Sequence, residues 1–350
     1  MLYTSKRLIG GLVAIFFAST LIATLIFLVP VDPARMTFGQ RLESKTLENT
    51  RARYGLDQPL PVQLSLYLRD LSPVNILRND HAMIDEYQKL ASLSLGTKTL
   101  IIKWPYLRQS YQTGRSVWSI LSEALPQTII LAFAALLLAT PIGIILGFVS
   151  ARHVHTVVDN ILISISVLGY SVPSYVSALV FAIVFGYLLG QWTGLPVQGS
   201  LIESDHLGQT SWNWTHLILP ALALGIRPVA VIMQITRSAV LGEIKLNYVT
   251  MARAKGMGEW SVLRKHVFRN AGNPIITAVS GWFAALIAGS FFVESIFNYN
   301  GIGKVTVNAL LMFDVPVLIG AIVTISGLYV LVNIITDLIY RALDVRTELE

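Results

Sequence analysis

The sequence predicts an all-α protein that crosses a membrane six times, on three observations. Of 350 residues, 54% are hydrophobic and only 13% are charged, against about 25% charged in an ordinary soluble domain. Mean hydropathy is +0.62. Six stretches are apolar enough, over about 20 residues, to cross a hydrocarbon core about 30 Å thick. This composition excludes a soluble enzyme, a disordered regulator and a fibrous protein. In such a chain the formal charge of +6 sets topology rather than binding nucleic acid. With no cysteine, disulfides, thiolate chemistry and Cys-type zinc sites are ruled out.

The first span is Leu8–Val29, preceded by Lys6 and Arg7. It is too long for a cleaved signal and no small-residue cleavage site follows, so it reads as a retained helix. The second, Ala124–Ser150, and the third, Asn160–Gly190, carry no charge. The fourth runs from about His216 to Ile235, the fifth over Pro274–Val293 and the sixth over Val315–Ile335. Pro126, Pro141, Gly143 and Pro173 fall inside spans, which requires a packed bundle whose neighbours satisfy the freed backbone groups. The chain thus divides into residues 1–29, a segment 30–117 and a membrane domain 118–350. Within 30–117, Leu60–Leu71 and Ala82–Ser94 have helical spacing, and Gly55 with Pro59 marks a helix end and a turn. A small, mainly helical external subdomain is expected.

Basic residues set the orientation. The stretch 237–272 holds Arg237, Lys245, Arg253, Lys255, Arg264, Lys265 and Arg269 against Glu243 and Glu259, whereas Gln191–Thr215 has no Lys or Arg. With Lys6, Arg7, Arg341 and Arg346, this puts both termini in the cytoplasm. The segment 30–117 holds 12 of the 26 basic residues, but a loop of this length translocates regardless of charge. Trp104, Trp118, Trp192, Trp212 and Trp214 then fall near the outer face, as interfacial aromatics or as residues packed inside the outer segment.

The stretch Leu246–Ala271 reads as helix, sharp turn at Gly256 and Gly258, then helix. Trp260, Leu263 and Val267 form an apolar stripe in the second helix, with Arg264, Lys265 and Arg269 off it. Such a cytoplasmic knob suits docking into a groove on another protein. It equally suits an amphipathic helix lying on anionic lipid.

This stretch resembles the cytoplasmic coupling loop of permeases in bacterial ABC importers of the dipeptide/oligopeptide family. The matching residues are Tyr248, Val249, Ala252, Arg253, Ala254, Lys255 and Gly256, then His266, Arg269, Asn270 and Ala271. Thr250 and Met251 depart from the broader Glu-Ala-Ala signature. Four further motifs are similar to the first, B-type, permease of each pair: Val29–Pro33, Arg53–Leu60, Leu168–Tyr175, and Gly301–Lys304 with Asp314–Val317. Residues 70–95 do not match.

The resemblance implies a six-helix, MetI-like transmembrane domain of the type I ABC importer architecture, with an external insertion between helices 1 and 2. It implies a multi-pass protein of the bacterial inner membrane, surrounded by lipid and paired with a second homologous permease. Two ABC ATPases and an extracytoplasmic substrate-binding protein complete the transporter. It assigns ATPase coupling to Tyr248, Ala252, Arg253, Ala254, Lys255, Gly256, Glu259, His266, Arg269 and Asn270. No phosphate loop is present: Gly303-Lys304-Val305 lacks the hydroxyl and the leading glycine, and Gly96–Thr99 fails too. ATP and magnesium are therefore expected on the partner ATPases, with no catalytic residue, cofactor or metal on this chain. His153, His155 and His266 read as loop residues.

Arg227 lies about 16 Å along the fourth span from His216 by helical rise. A charge there is costly and faces a cavity or a partner. It either lines the translocation path and meets a peptide carboxylate, or pairs with an acid such as Glu294, or marks a misplaced span boundary. Tyr170, Ser171 and Tyr175 are candidates for the same path; polar residues of this kind, Gln127 among them, also serve as interhelical hydrogen-bond partners. A secondary transporter would show paired ionisable residues within spans. A membrane enzyme would show clustered carboxylates or histidines. The sequence has neither pattern.

Overall fold

The computed structural model describes residues 2–28, 57–78, 87, 89–204 and 209–343. The Val29–Pro33 motif, residues 53–56 and Arg346 lie outside them. The chain divides into two compact units, Met1–Glu123 with Val305–Gly327, and Ala124–Lys304 with Leu328–Glu350.

In the first unit, α1 (Leu2–Leu28) and α2 (Leu60–Leu71) bring Ala23 and Tyr67 together with Tyr111, Val315 and Ile319 in an apolar cluster. Pro59 and Pro61 open α2, where the first turn tolerates proline, and Ser72 N–H closes it on the Leu68 carbonyl at 2.9 Å. The helix expected over Ala82–Ser94 is not formed in its described part. Lys89–Leu95 is instead strand β2, after β1 (Val74–Arg78) and before β3 (Lys98–Lys103). The strands make an antiparallel sheet in the order β1-β3-β2, with Ile76 opposite Leu100 and Leu93 opposite Leu100 on the other side. Gly96, at φ +67°, turns the β2–β3 hairpin in two residues. That tight connection favours strand pairing over the local helical spacing.

Beside the sheet, buried Asp70 accepts from Arg108 Nε at 2.9 Å and from Tyr87 OH at 2.8 Å. Lys103 donates to the Asp70 carbonyl and lies 4.1 Å from the Tyr87 ring centroid. Burial pushes its ammonium down to about 8. Asp314 accepts from Ser110 Oγ at 2.5 Å and Tyr111 N–H at 3.1 Å, and its carbonyl takes the Leu318 N–H at 3.0 Å. It thereby fixes the start of α12, the long last helix Val315–Leu343.

The second unit is helical. It holds most of α3 (Val117–Arg152), then α4 (Val157–Ser171), α5 (Ser174–Phe181), α6 (Thr215–Ile244), α7 (Asn247–Ala254), α8 (Glu259–Val262), α9 (Phe268–Gly289) and α10 (Phe291–Ile296). A short hairpin, β4 (Ile202–Ser204) with β5 (Thr210–Trp212), precedes α6. Leu131 and Ala135 of α3, Ala178 of α5, Ala221 and Leu224 of α6, and Ala284 of α9 share one core. Small residues let helix backbones touch where hydrophobicity alone gives no driving force. A Cβ at Gly147 would lie 2.5 Å from the Met233 carbonyl oxygen, so α3 and α6 meet backbone to backbone there.

Among the described residues, five helices are long and apolar enough to cross a membrane, and six crossings result if the pair Val157–Ser171 and Ser174–Leu188 counts as one. That pair is bent by 104°, so the third expected span, Asn160–Gly190, is not one continuous helix. Val172 precedes Pro173, whose ring disfavours the α region for it, and Val172 is extended at φ −73°, ψ 126°. The fourth helix is longer than expected and carries Arg237 inside it. Trp104, Trp118, Trp192, Trp212 and Trp214 are all more than half exposed, so none of them is packed inside a core of its unit.

The Gly301–Lys304 motif wraps a carboxylate. Glu294 is fully buried. It accepts from Ser290 Oγ at 2.7 Å and Lys304 N–H at 3.2 Å, and from Thr128 and the Gly303 backbone. It thus caps α11 (Ile302–Leu311), while Thr128 Oγ1 also accepts the Ile302 N–H at 2.8 Å. A side chain on Gly301 or Gly303 would collide with this carboxylate. Glu294→Gln is expected to cost about 2 kcal/mol, because an amide NH2 would face groups that now donate to a carboxyl oxygen. Thermal unfolding of the purified protein checks it, and an unchanged midpoint would contradict it.

Candidate functional site: a helix–turn–helix loop and an arginine within a long apolar helix

The helix–turn–helix expected after the fourth span is present as α7, a turn over residues 255–258, and α8. Ala-Arg-Ala-Lys-Gly encodes the turn. Gly256 N–H bonds the Arg253 carbonyl at 2.9 Å and Met257 N–H bonds the Ala252 carbonyl at 3.3 Å. Gly256 sits at φ +78°. This is a Schellman closure, whose left-handed position glycine fills without steric cost. Gly258 is extended and serves as N-cap of α8.

The loop is anchored rather than free. Val249 and Ala252 of α7 pack with Val262, Leu263, Val267 and Ala271 against Ala151 of α3 and Val240 of α6. Ala252 therefore points into this core, while Arg253, Ala254, Lys255 and Gly256 are exposed. Arg253 Nε lies 3.0 Å from Glu259 across the turn; so exposed a pair contributes at most about 1 kcal/mol. Tyr248 OH donates to Glu243 and accepts from Asn270 Nδ2 at 2.9 Å, tying α7 to α6 and α9. Partial burial pushes the Tyr248 hydroxyl up. His266 is helical, not in a loop, with its ring 6.4 Å from that of Tyr248. Arg269 is exposed.

The apolar stripe differs from the expected one. Residues Leu263–Val267 form a π-helical turn between α8 and α9. Such a turn shifts every following side chain around the axis. Val262, Leu263 and Val267 are buried, whereas Trp260 is 63% exposed, its ring edge-on to Phe148 at 6.0 Å.

One group escaped the sequence reading. Asp159, at the start of α4, is buried and accepts from Arg237 Nε at 2.8 Å, Arg237 Nη2 at 2.7 Å, Ser150 Oγ at 2.5 Å and His155 N–H at 3.0 Å. It joins the end of α3 and the start of α4 to α6. Arg237 had counted only as a loop charge. The available signal was a lone acid opening an apolar run.

Arg227 lies well inside α6, which removes the misplaced-boundary reading. Glu294 has its own partners, and among the described residues Arg227 has none for an ion pair. Its guanidinium carbon lies 5.2 Å from the Tyr170 ring centroid, and its Nε is buried without a hydrogen-bond partner. Tyr170 and Tyr175, on either side of the bend, are about half exposed. Tyr175 meets Phe292 edge-on at 6.1 Å. Ser171 bonds within its own helix, to the Val167 carbonyl at 2.8 Å. Gln127 bonds loop residues and not a second helix: its side-chain carbonyl accepts from Ser200 Oγ at 2.5 Å and its backbone carbonyl from Tyr299 OH at 3.2 Å.

The family described as "Binding-protein-dependent transport system inner membrane component" matches residues 139–349, and its N-terminal companion matches residues 1–132. The chain is 32% identical over 344 residues to the probable peptide ABC transporter permease protein y4tP of Sinorhizobium fredii, covering 98% of each. It is 32% identical over 359 residues to the di/tripeptide transport system permease protein DppB of Pseudomonas aeruginosa, covering 97% of each. Among solved structures, the MetNI methionine ABC transporter in inward-facing conformations aligns with a TM-score of 0.52 at 17% identity, over 65% of this chain and 97% of that one. That likeness speaks to the fold, a MetI-like transmembrane domain. With the two family matches together covering nearly the whole chain, this chain belongs to the inner-membrane components of binding-protein-dependent transport systems, as a permease subunit of an ABC importer.

Proposed function

We propose that this chain forms half of the membrane path of a peptide importer and receives its driving force through the loop 237–272. The supporting observation is the exposed, Schellman-closed tip at residues 253–256, mounted on a core that includes α3 and α6. A rigid knob fixed to the ends of two spans transmits a push as rigid-body movement of those spans. Two ATPase subunits hold ATP and magnesium and close on the knob. A second homologous permease completes the path, and an extracytoplasmic binding protein delivers and selects the substrate. The peptide class rests on relatives described as peptide and di/tripeptide permeases.

In this reading the protein sits in the bacterial inner membrane with both termini and the loop in the cytoplasm, and segment 30–117 outside. Exposed Trp260, beside Arg264 and Lys265, favours an additional contact with anionic lipid at the inner surface. Tyr170, Ser171, Tyr175 and Arg227 line the path.

The chain has no cysteine, so Lys255→Cys supplies a single reporter in it. A membrane-impermeant thiol reagent is expected to label that cysteine in inverted vesicles and not in intact cells, and an ATPase subunit is expected to co-purify with the tagged chain. Labelling from outside, or purification without an ATPase, would overturn the reading.

A further inference from the structure

We propose that Arg227 is a transient docking point for the free α-carboxylate of the passing peptide. This rests on the permease reading above and goes beyond it in naming the substrate group recognised inside the path.

A guanidinium halfway along an apolar helix costs several kcal/mol unless it is paired or faces water. Here it is not paired: among the described residues no carboxylate lies in ion-pair range, and the Nε is buried without a partner. The acid nearest in expectation, Glu294, spends its oxygens on Ser290, Thr128, Gly303 and Lys304. The part-buried guanidinium thus keeps hydrogen-bonding capacity open, its buried Nε–H included. The group that matches a planar fork of N–H donors is a carboxylate or phosphate, taken through two parallel hydrogen bonds.

The surroundings favour the carboxylate of a small peptide. The Tyr170 ring braces the guanidinium from one side, an orientation that lowers the cost of holding the cation still. The half-exposed Tyr175 and the exposed Phe292 belong to the same unit and offer flat apolar surface for side chains. Among the described residues no second cation is in contact with the rings of Tyr170, Tyr175 or Phe292, so the site carries a single positive charge. That suits one carboxylate better than a phosphate. A lone contact also meets the requirement of a path, where binding must be weak enough for the substrate to leave.

The test uses the assembled transporter, purified with its own partners and reconstituted into vesicles, with radiolabelled Ala-Ala as probe. Arg227→Gln is expected to lower ATP-driven uptake at least tenfold, and Arg227→Lys to keep at least a third of it. In Arg227→Cys, modification with 2-aminoethyl methanethiosulfonate, which restores a positive charge, is expected to raise uptake at least threefold. The uncharged methyl reagent should not. Uptake of the dipeptide amide at saturating concentration is expected to differ less than twofold between wild type and Arg227→Gln.

Four outcomes overturn the proposal: uptake by Arg227→Gln within twofold of wild type, equal rescue by both reagents, parallel loss of dipeptide and amide uptake, or loss of the second permease from the Arg227→Gln complex. The last would make the arginine a structural pair between subunits. The two readings fail separately: failure of the Arg227 proposal leaves the Lys255→Cys labelling and the ATPase co-purification standing.

Discussion

Gly256→Val is expected to abolish most transport while leaving the protein in the membrane. Gly256 has open space around the position of a Cβ, so the valine meets no neighbour and the unit's packing survives. Its φ of +78° is the difficulty. A β-branched residue held there is strained by about 2 kcal/mol, and the chain escapes by returning φ to negative values. That undoes the closure on Ala252 and Arg253 and re-aims the exposed tip. Uptake is expected to fall more than tenfold, with membrane insertion unchanged and basal ATP hydrolysis by the partners retained. Gly256→Asn, which tolerates the left-handed region, is expected to keep substantially more uptake than the valine variant. Uptake assays on both variants, with membrane quantification by immunoblot, check the pair. Normal uptake by Gly256→Val would remove the tip from the mechanism.

The second large effect is expected at the Asp159–Arg237 pair. Asp159→Ala leaves a partly buried guanidinium, the Ser150 hydroxyl and the His155 N–H without their acceptor. Arg237→Ala leaves a buried carboxylate with no countercharge. Breaking one side of a buried pair costs about 3–5 kcal/mol, whereas replacing both by apolar residues of similar size is often nearly neutral. Asp159→Leu with Arg237→Met is therefore expected to recover most of the stability that either alanine variant loses. A thermal-unfolding cycle on the purified protein measures the coupling. Single variants within about 1 kcal/mol of wild type would show that the pair contributes little.

These two sites differ in how far the sequence exposes them. The Gly256 turn is local: Ala-Arg-Ala-Lys-Gly sets a helix end through its own backbone bonds, so the run of letters contains it. The Asp159 pair joins residues 78 positions apart, and neither has a neighbour in sequence that announces the other. Glu294 is similar, since its meaning depends on Thr128 and on a loop that folds back over it. The spans were legible because lipid demands long apolar runs. The bend at Pro173 was visible as a proline, but its 104° angle is set by how the two half-helices pack. Over the β2 stretch the helical spacing misleads because Leu90 and Leu93 lie three apart, as on a helix, while Leu93 and Leu95 lie two apart, as on a strand, in too short a run to decide. Pairing with β3 decides it.

The π turn at Leu263–Val267 has a consequence for any edit of this loop. One extra residue is stored there within an otherwise α-helical run, so the bulge works as a phase shifter between the exposed turn at residues 253–256 and the long apolar helix behind it. Removing a single residue from those five would let the run relax to ordinary spacing and swing everything downstream by about 100°. The face that α9 turns toward its neighbours would then be a different one. Length, at this point of the chain, encodes direction.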